Sequence, residues 1–283
     1  MVHRNGEYDG KEYIFETFET IDEFIREVES RPLSDTYSFS TTAQGFTDAS
    51  YDSHDRRFRG VSGYDEAKKQ FIEGTKAAVE MSKAFASEVD PRQREAANSP
   101  CGCVPIVANA LRGIPDSMVD IRRKRIPKAT RLVVDMTVHC GISCSDIIRA
   151  GKQIIAAVGK LEGQGISTEI MCTVDSLMCG NVLTGMGVTI KNAGQGFSAA
   201  RVSFPMSSPA FLRVFSLMHT SRLKGCPYDA GYGRPLANSY SDDKLRDYYR
   251  TMYGNGIYIS LARVINRGEY EINNAIDMWR KGR

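Results

Sequence analysis

Residues Arg131–Asp175 read RLVVDMTVHCGISCSDIIRAGKQIIAAVGKLEGQGISTEIMCTVD, and this stretch decides the fold. Leu132–Met136 is a short apolar run ending in a polar turn, the pattern of a strand covered on both faces. In Ser143-Cys144-Ser145-Asp146 a hydroxyl is followed three residues later by an acid, a capping box that opens a helix. Ile147, Ile148, Ile154, Ile155, Val158 and Leu161 then recur with the spacing of one buried helical face. Gly163 and Gly165 end the helix, and Ile166–Val174 returns as a second β-rich run. A crossover of this length joins parallel neighbours, in the right-handed sense. The expected class is therefore α/β, a mostly parallel sheet with helices on both faces in a three-layer core.

Asp135 and Asp175 close the two strands at the same, carboxyl, edge, where open α/β sheets bind ligands. With Thr137 and His139 they form the candidate ligand edge. The two carboxylates are expected in one crevice, with His139 donating to one of them and the amides at the start of the next helix favouring the charge. Both aspartates as simple turn caps is the plainer alternative.

Outward from this unit, Thr20-Ile21-Asp22-Glu23 is a second capping box, with Ile21, Phe24, Ile25 and Val28 on one face and Pro32 as the stop. Residues 33–60 are polar and aperiodic, a long functional loop or arm ending in HDRRFRG. A helix starts at Ser62-Gly63-Tyr64-Asp65, runs through Ala67, Phe71 and Ile72, breaks at Gly74 and resumes from about Lys76 to Val89. This divides the chain into an N-terminal helical region, 1–98, and an α/β core domain, 99–283. Within the latter, Ala108–Pro115 holds one helical turn, and Gly187–Lys191, Ala200–Phe204 and Ile257–Ile265 read as strands. Ser208-Pro209 opens an apolar helix carrying Arg213 and His219, a histidine read as a satisfied core residue. Ser241-Asp242-Asp243 caps a helix through Leu245, Tyr248, Tyr249 and Met252, and Ile272–Trp279 is a terminal helix. The glycine-rich turn Tyr228–Pro235 lacks the spacing of a dinucleotide or phosphate-binding loop.

The 283 residues are 42% apolar and 25% charged, ordinary for a soluble globular chain that buries a core. No apolar run is long enough to span a membrane and the first residues lack a secretory h-region, so a cytoplasmic location and no membrane partner are expected. The seven cysteines, Cys101, Cys103, Cys140, Cys144, Cys172, Cys179 and Cys226, are odd in number and contain no CxxC pair. They are expected reduced, with no disulfide framework, no metal and no cofactor. The formal charge of +3 alone argues no nucleic-acid partner. The sharpest charge feature is the run from Asp120 to Arg131, where Arg122, Arg123, Lys124, Arg125, Lys128 and Arg131 form a basic patch. A solvated edge is the plainer reading; phosphate-backbone contact, helped by Arg56, Arg57 and Arg59, is the sharper one.

Several short motifs carry a resemblance: Val61–Ala67, Val104-Pro105 with Arg112–Met118, Leu161–Gly165, Val188–Lys191, Phe204-Pro205, Ser208–Arg213 and Tyr232–Pro235. Together they resemble an uncharacterised family of tailed-phage and prophage proteins, which implies a mobile genetic element in a bacterial host and names no activity. Asp135-Met136-Thr137-Val138-His139 is similar to the DxSxS loop of von Willebrand factor A domains, where an aspartate and two hydroxyls help hold magnesium. Thr137 matches the first serine; His139 stands in place of the second. A hard cation prefers oxygen ligands, so the resemblance implies a degenerate, metal-free version of that fold.

Three functions follow. The first is a phage or mobile-element interaction protein that docks another phage or host protein. The second is a nucleic-acid-binding accessory protein using the basic segment 122–131. The third is a metal-dependent phosphoryl-transfer enzyme working through Asp135, Asp175 and His139.

Overall fold

A computed structural model describes residues 1–31, 59–88, 94–102, 104–123, 128–139, 141–178, 181–226 and 234–282. The chain opens with a hairpin of β1 (Val2–Tyr8) and β2 (Lys11–Phe18). Its Asp9-Gly10 turn has φ of 53° and 69°, the two positive values of a two-residue primed turn. Helices α1 (Ile21–Ser30), α2 (Tyr64–Glu73) and α3 (Ala78–Glu88) follow. A small antiparallel sheet comes next, built of β3 (Arg94–Ser99), β4 (Val104–Pro105) and β5 (Met118–Arg123), with α4 (Val107–Leu111) between the last two. Then come β6 (Lys128–Asp135), α5 (Cys144–Gly163), β7 (Ile166–Leu177) and β8 (Leu183–Lys191). After α6 (Ala199–Ser207), a helix over 209–222 is π-helical at Phe211–Ser216 and regular as α7 (Leu217–Arg222). The chain ends with β9 (Arg234–Pro235), α8 (Leu236–Ser239), α9 (Asp242–Tyr253), β10 (Ile257–Ser260), α10 (Leu261–Arg267) and α11 (Glu269–Lys281).

The main sheet has the order β1-β2-β8-β7-β6-β10, with β9 pairing β7. The βαβ unit is as read: β6 and β7 are parallel neighbours, and Ser143 accepts the Asp146 N–H at 3.2 Å to start α5. The sheet as a whole is mixed, which corrects the mostly parallel expectation. Only β2–β8, β6–β7 and β6–β10 run parallel; β1–β2, β7–β8 and β7–β9 run antiparallel. The reason is connection length. A two-residue turn joins β1 to β2, and five residues join β7 to β8, too few for a parallel crossover.

Alternation along β6 shows the layers. Leu132 and Val134 join one apolar cluster with Ile147, Ile154 and Val158 of α5. Val133 joins a second cluster with Tyr248, Tyr249 and Met252 of α9. Helices thus cover both faces. Residues before 98 are more than helical, since β1 and β2 belong to the main sheet and Phe18, Phe24, Phe71 and Met81 share the cluster of Leu132. Two expected strands are helices, at least in part. Ala200–Phe204 lies in α6, and Ile257–Ile265 is strand only to Ser260. A short buried apolar run satisfies either geometry, and packing decides between them. Here α6 lies against α5, while Val264 of α10 turns into the same core.

The N-terminal hairpin is anchored by buried charge. Glu16 accepts from Arg31 Nη1 at 2.8 Å and meets His219 Nε2 at 2.9 Å and His3 Nδ1 at 3.0 Å. Burial alone pushes this carboxyl up, but His219 and Arg31 outweigh it and hold it at about 2.

Helix α5 is clamped where it has no side chain. A Cβ at Gly151 would sit 1.9 Å from the Met206 carbonyl oxygen of α6. In an open helix Gly→Ala gains about 1 kcal/mol, whereas overpacking costs about 1–3 kcal/mol and backbone cannot swing aside as a side chain can. The clash wins, so Gly151→Ala is expected to lower the denaturant midpoint with little change of slope. A midpoint at or above wild type would show that α6 moves away freely.

Candidate functional site

Asp135 is the last residue of β6, and its register partner on β7 is Thr173, two residues before Asp175. Both aspartates therefore point to the α9 face, and both are fully buried. Thr137 binds them together. Its N–H donates to Asp135 Oδ1 at 2.9 Å, and its hydroxyl lies 2.5 Å from the same oxygen while accepting the Asp175 N–H at 3.1 Å. The remaining donors are tyrosines of α9. Tyr249 donates to Asp135 Oδ2 at 2.8 Å and Tyr248 to Asp175 Oδ1 at 3.0 Å. The Tyr253 hydroxyl lies 2.7 and 2.8 Å from the two Asp175 oxygens. Gly185 of β8, the register partner of Asp175, leaves the room: a Cβ there would stand 2.4 Å from Asp175 Oδ1.

The structure thus brings together Asp135, Thr137 and Asp175, and it leaves His139 out. That ring is exposed, and its Nδ1 accepts the Gly141 N–H at 3.1 Å. The expected histidine donor is replaced by phenols, and the α5 amides do not reach the carboxylates. Instead Arg213, buried in the π-helical turn, donates to the carbonyls of Ile142 and His139 at 3.2 and 3.4 Å and so holds the loop between β6 and α5. The tyrosines escape a reading of chemistry by motif, because on an amphipathic helix they read as core. Their signal is three phenols at 248, 249 and 253, each needing a partner when buried.

Burial raises both carboxyls above the usual range, and the charge of Asp135 raises Asp175 further. Two adjacent buried carboxylates resist being ionised together, so the pair retains a proton above the ordinary carboxylate range. The tyrosines are pushed up by burial first and by the aspartates next, and they stay protonated donors. A magnesium ion does not fit this donor set, since hydroxyl and amide protons already point at the carboxylate oxygens and the third candidate ligand is elsewhere. Among the described residues, no three His, Cys, Asp or Glu side chains are grouped to hold a metal.

The basic run is divided between two sheets. Arg122 and Arg123 belong to β5 and Lys128 begins β6; Lys124 and Arg125 lie outside the described residues. Arg131 is committed to the body of the protein: Nε meets Glu169 Oε1 at 2.7 Å, and Nη1 donates to the Tyr253 carbonyl at 2.7 Å, at the end of α9. Arg59 is buried, while Arg56 and Arg57 also fall outside the described residues. Of the cysteines, Cys172 and Cys226 are buried, Cys144 is half-buried and Cys101 exposed; Cys103, Cys140 and Cys179 are outside the described residues.

The family model described as "Domain of unknown function (DUF7192)" matches residues 4–281, and the chain belongs to that family. No curated protein and no solved structure matches it.

The pair carries a pH signature. A carboxyl whose folded pKa is raised stabilises the fold fully below its unfolded value, about 4, and loses that contribution as pH climbs through the folded value. Asp175→Asn keeps a hydrogen-bonding side chain without the charge, so it should flatten the loss of stability between about pH 5 and about pH 9 seen by chemical denaturation. Asp175→Leu strands the hydroxyls of Tyr248 and Tyr253 and should cost about 2–4 kcal/mol below about pH 5, a cost that shrinks as the wild type itself loses stability at higher pH. An unchanged pH slope in the asparagine variant would mean that the pair holds no extra proton.

Proposed function

We propose that this DUF7192 chain is an interaction protein of the phage or mobile-element kind its motifs resemble, acting in the cytoplasm of a bacterial host by docking another protein. The observation that carries this reading is the arm formed by residues 94–123. None of its described side chains joins an apolar cluster of the body. Instead Val104, Val107, Leu111 and Ile114 stand 48%, 62%, 83% and 41% exposed.

The arm has order of its own. β5 pairs with both β3 and β4, the Ile106 N–H donates to the Ser117 carbonyl at 2.7 Å, and Gly102 lets its loop pass close to Val119. Val107 and Leu111, four apart on α4, share a helical face. Exposed apolar residues on an ordered segment suit a partner with an apolar groove, since burying them there supplies the driving force.

The von Willebrand-like reading is supported in that Asp135 and Thr137 meet at the end of a parallel strand. It departs in that tyrosines occupy the carboxylates, so docking in this reading does not run through a shared metal ion. Phosphoryl transfer at the same place is disfavoured by the complete burial of both aspartates.

Co-expression with the products of flanking genes tests the proposal. Val107→Glu with Leu111→Glu should leave stability within about 0.5 kcal/mol, because neither side chain packs in the core, and should abolish co-purification of the partner. Wild type that retains no such product, or a double variant that retains it at the same stoichiometry, counts against the arm.

A further inference from the structure

A second surface, remote in function from the arm, lies between α9 and α11. It is a cleft of about 710 Å³, within the range of small-ligand sites. Its lining combines two kinds of group. Tyr258 and Trp279, both half-buried, supply flat aromatic surface. Arg246 and Arg250, four apart on α9, and Lys281 of α11 supply positive charge. Asn255 adds an exposed amide beside them.

Two acids share the lining and offset part of that charge. Asp247 accepts the Tyr8 hydroxyl at 3.0 Å, and Asp243, 94% exposed, pairs with Arg246 at 3.3 Å. Arg250 and Lys281 make no ion pair among the described residues. Tyr258 is itself steadied, stacked on Tyr249 with ring centroids 5.7 Å apart and donating to the Gly254 carbonyl. Aromatic surface steadied at Tyr258, beside the unpaired Arg250 and Lys281, suits a ligand that is both flat and anionic.

We propose that this cleft binds a nucleoside phosphate, the base lying against Trp279 and Tyr258 and the phosphate held by Arg246, Arg250 and Lys281. The same chemistry is offered by a free nucleotide and by one unit of a single strand, where base stacking on aromatic rings is the common device.

Trp279 is the single tryptophan of the chain, so its emission reports on this cleft alone. Titration of the full chain with AMP should quench it saturably, while adenosine and inorganic phosphate bind more weakly because each offers half of the ligand. Arg246→Gln with Arg250→Gln should weaken AMP at least about tenfold, the loss of one or more charge-assisted contacts, with an unchanged melting curve. Lys281→Gln, at an exposed site near the C-terminus, gives a second variant should the first misfold, and it too should weaken AMP. A short oligoadenylate that binds more tightly than AMP identifies a strand as the ligand; equal affinity identifies the free nucleotide. No saturable quenching by either, or variants that bind AMP as well as wild type, overturns the proposal.

Discussion

Two carboxyl groups at the ends of neighbouring parallel strands, sealed from water, are the constraint around which one face of this protein is arranged. An uncompensated buried charge is intolerable in a protein interior, so each oxygen must be met by a donor. The chain meets them with Thr137 from the same strand end and with three phenols from one helix. That solution dictates much else. Helix α9 must lie across the sheet with Tyr248, Tyr249 and Tyr253 inward, β8 must present Gly185 opposite Asp175, and Arg131 secures the far end of the helix through the Tyr253 carbonyl. A polar cluster of this kind specifies position more sharply than an apolar contact, because a shift of an ångström breaks several hydrogen bonds together.

The opposite face obeys a different rule. There the contact of α5 with its neighbours depends on the absence of side chains. At Gly159 as at Gly151 the backbone of another segment approaches within 2.5 Å of where a Cβ would lie. Leu132, Val134, Ile154 and Val158 then fill the space between helix and sheet. The sheet is thus held by hydrogen-bond geometry on one side and by close packing on the other.

Much of the central architecture is legible in the sequence, and the reason is periodicity. The capping box at Ser143, the isoleucine stripe of α5 and the flanking strands are local signals that survive any tertiary context, so the βαβ unit and the meeting of Asp135, Thr137 and Asp175 follow from them. The hairpin of β1 and β2 is written only in Asp9-Gly10, because β1 is polar and β2 does not alternate strictly. For α6, Val202–Met206 fits strand or helix equally, and only contact with α5 decides. The position of His139 is illegible for a related reason: sequence proximity to Asp135 says nothing about which way a loop residue turns once Arg213 has captured the loop carbonyls. The tyrosines are legible as core and illegible as donors, since a hydropathy pattern does not register a hydroxyl.

The strand order has a consequence for the birth of the molecule. Strand β2 finds its parallel neighbour only in the much later β8, whose first residue in their register, Leu183, pairs with Tyr13. Strand β6 waits for β10, and the aspartates wait for α9. A chain emerging from the ribosome therefore holds an unpaired sheet edge and two uncovered carboxyls until α9 and β10 have followed. Closing such distant pairings is slow, and exposed strand edges invite association meanwhile. The polar, charged character of β1, the outermost strand, blunts that hazard at one edge of the nascent sheet.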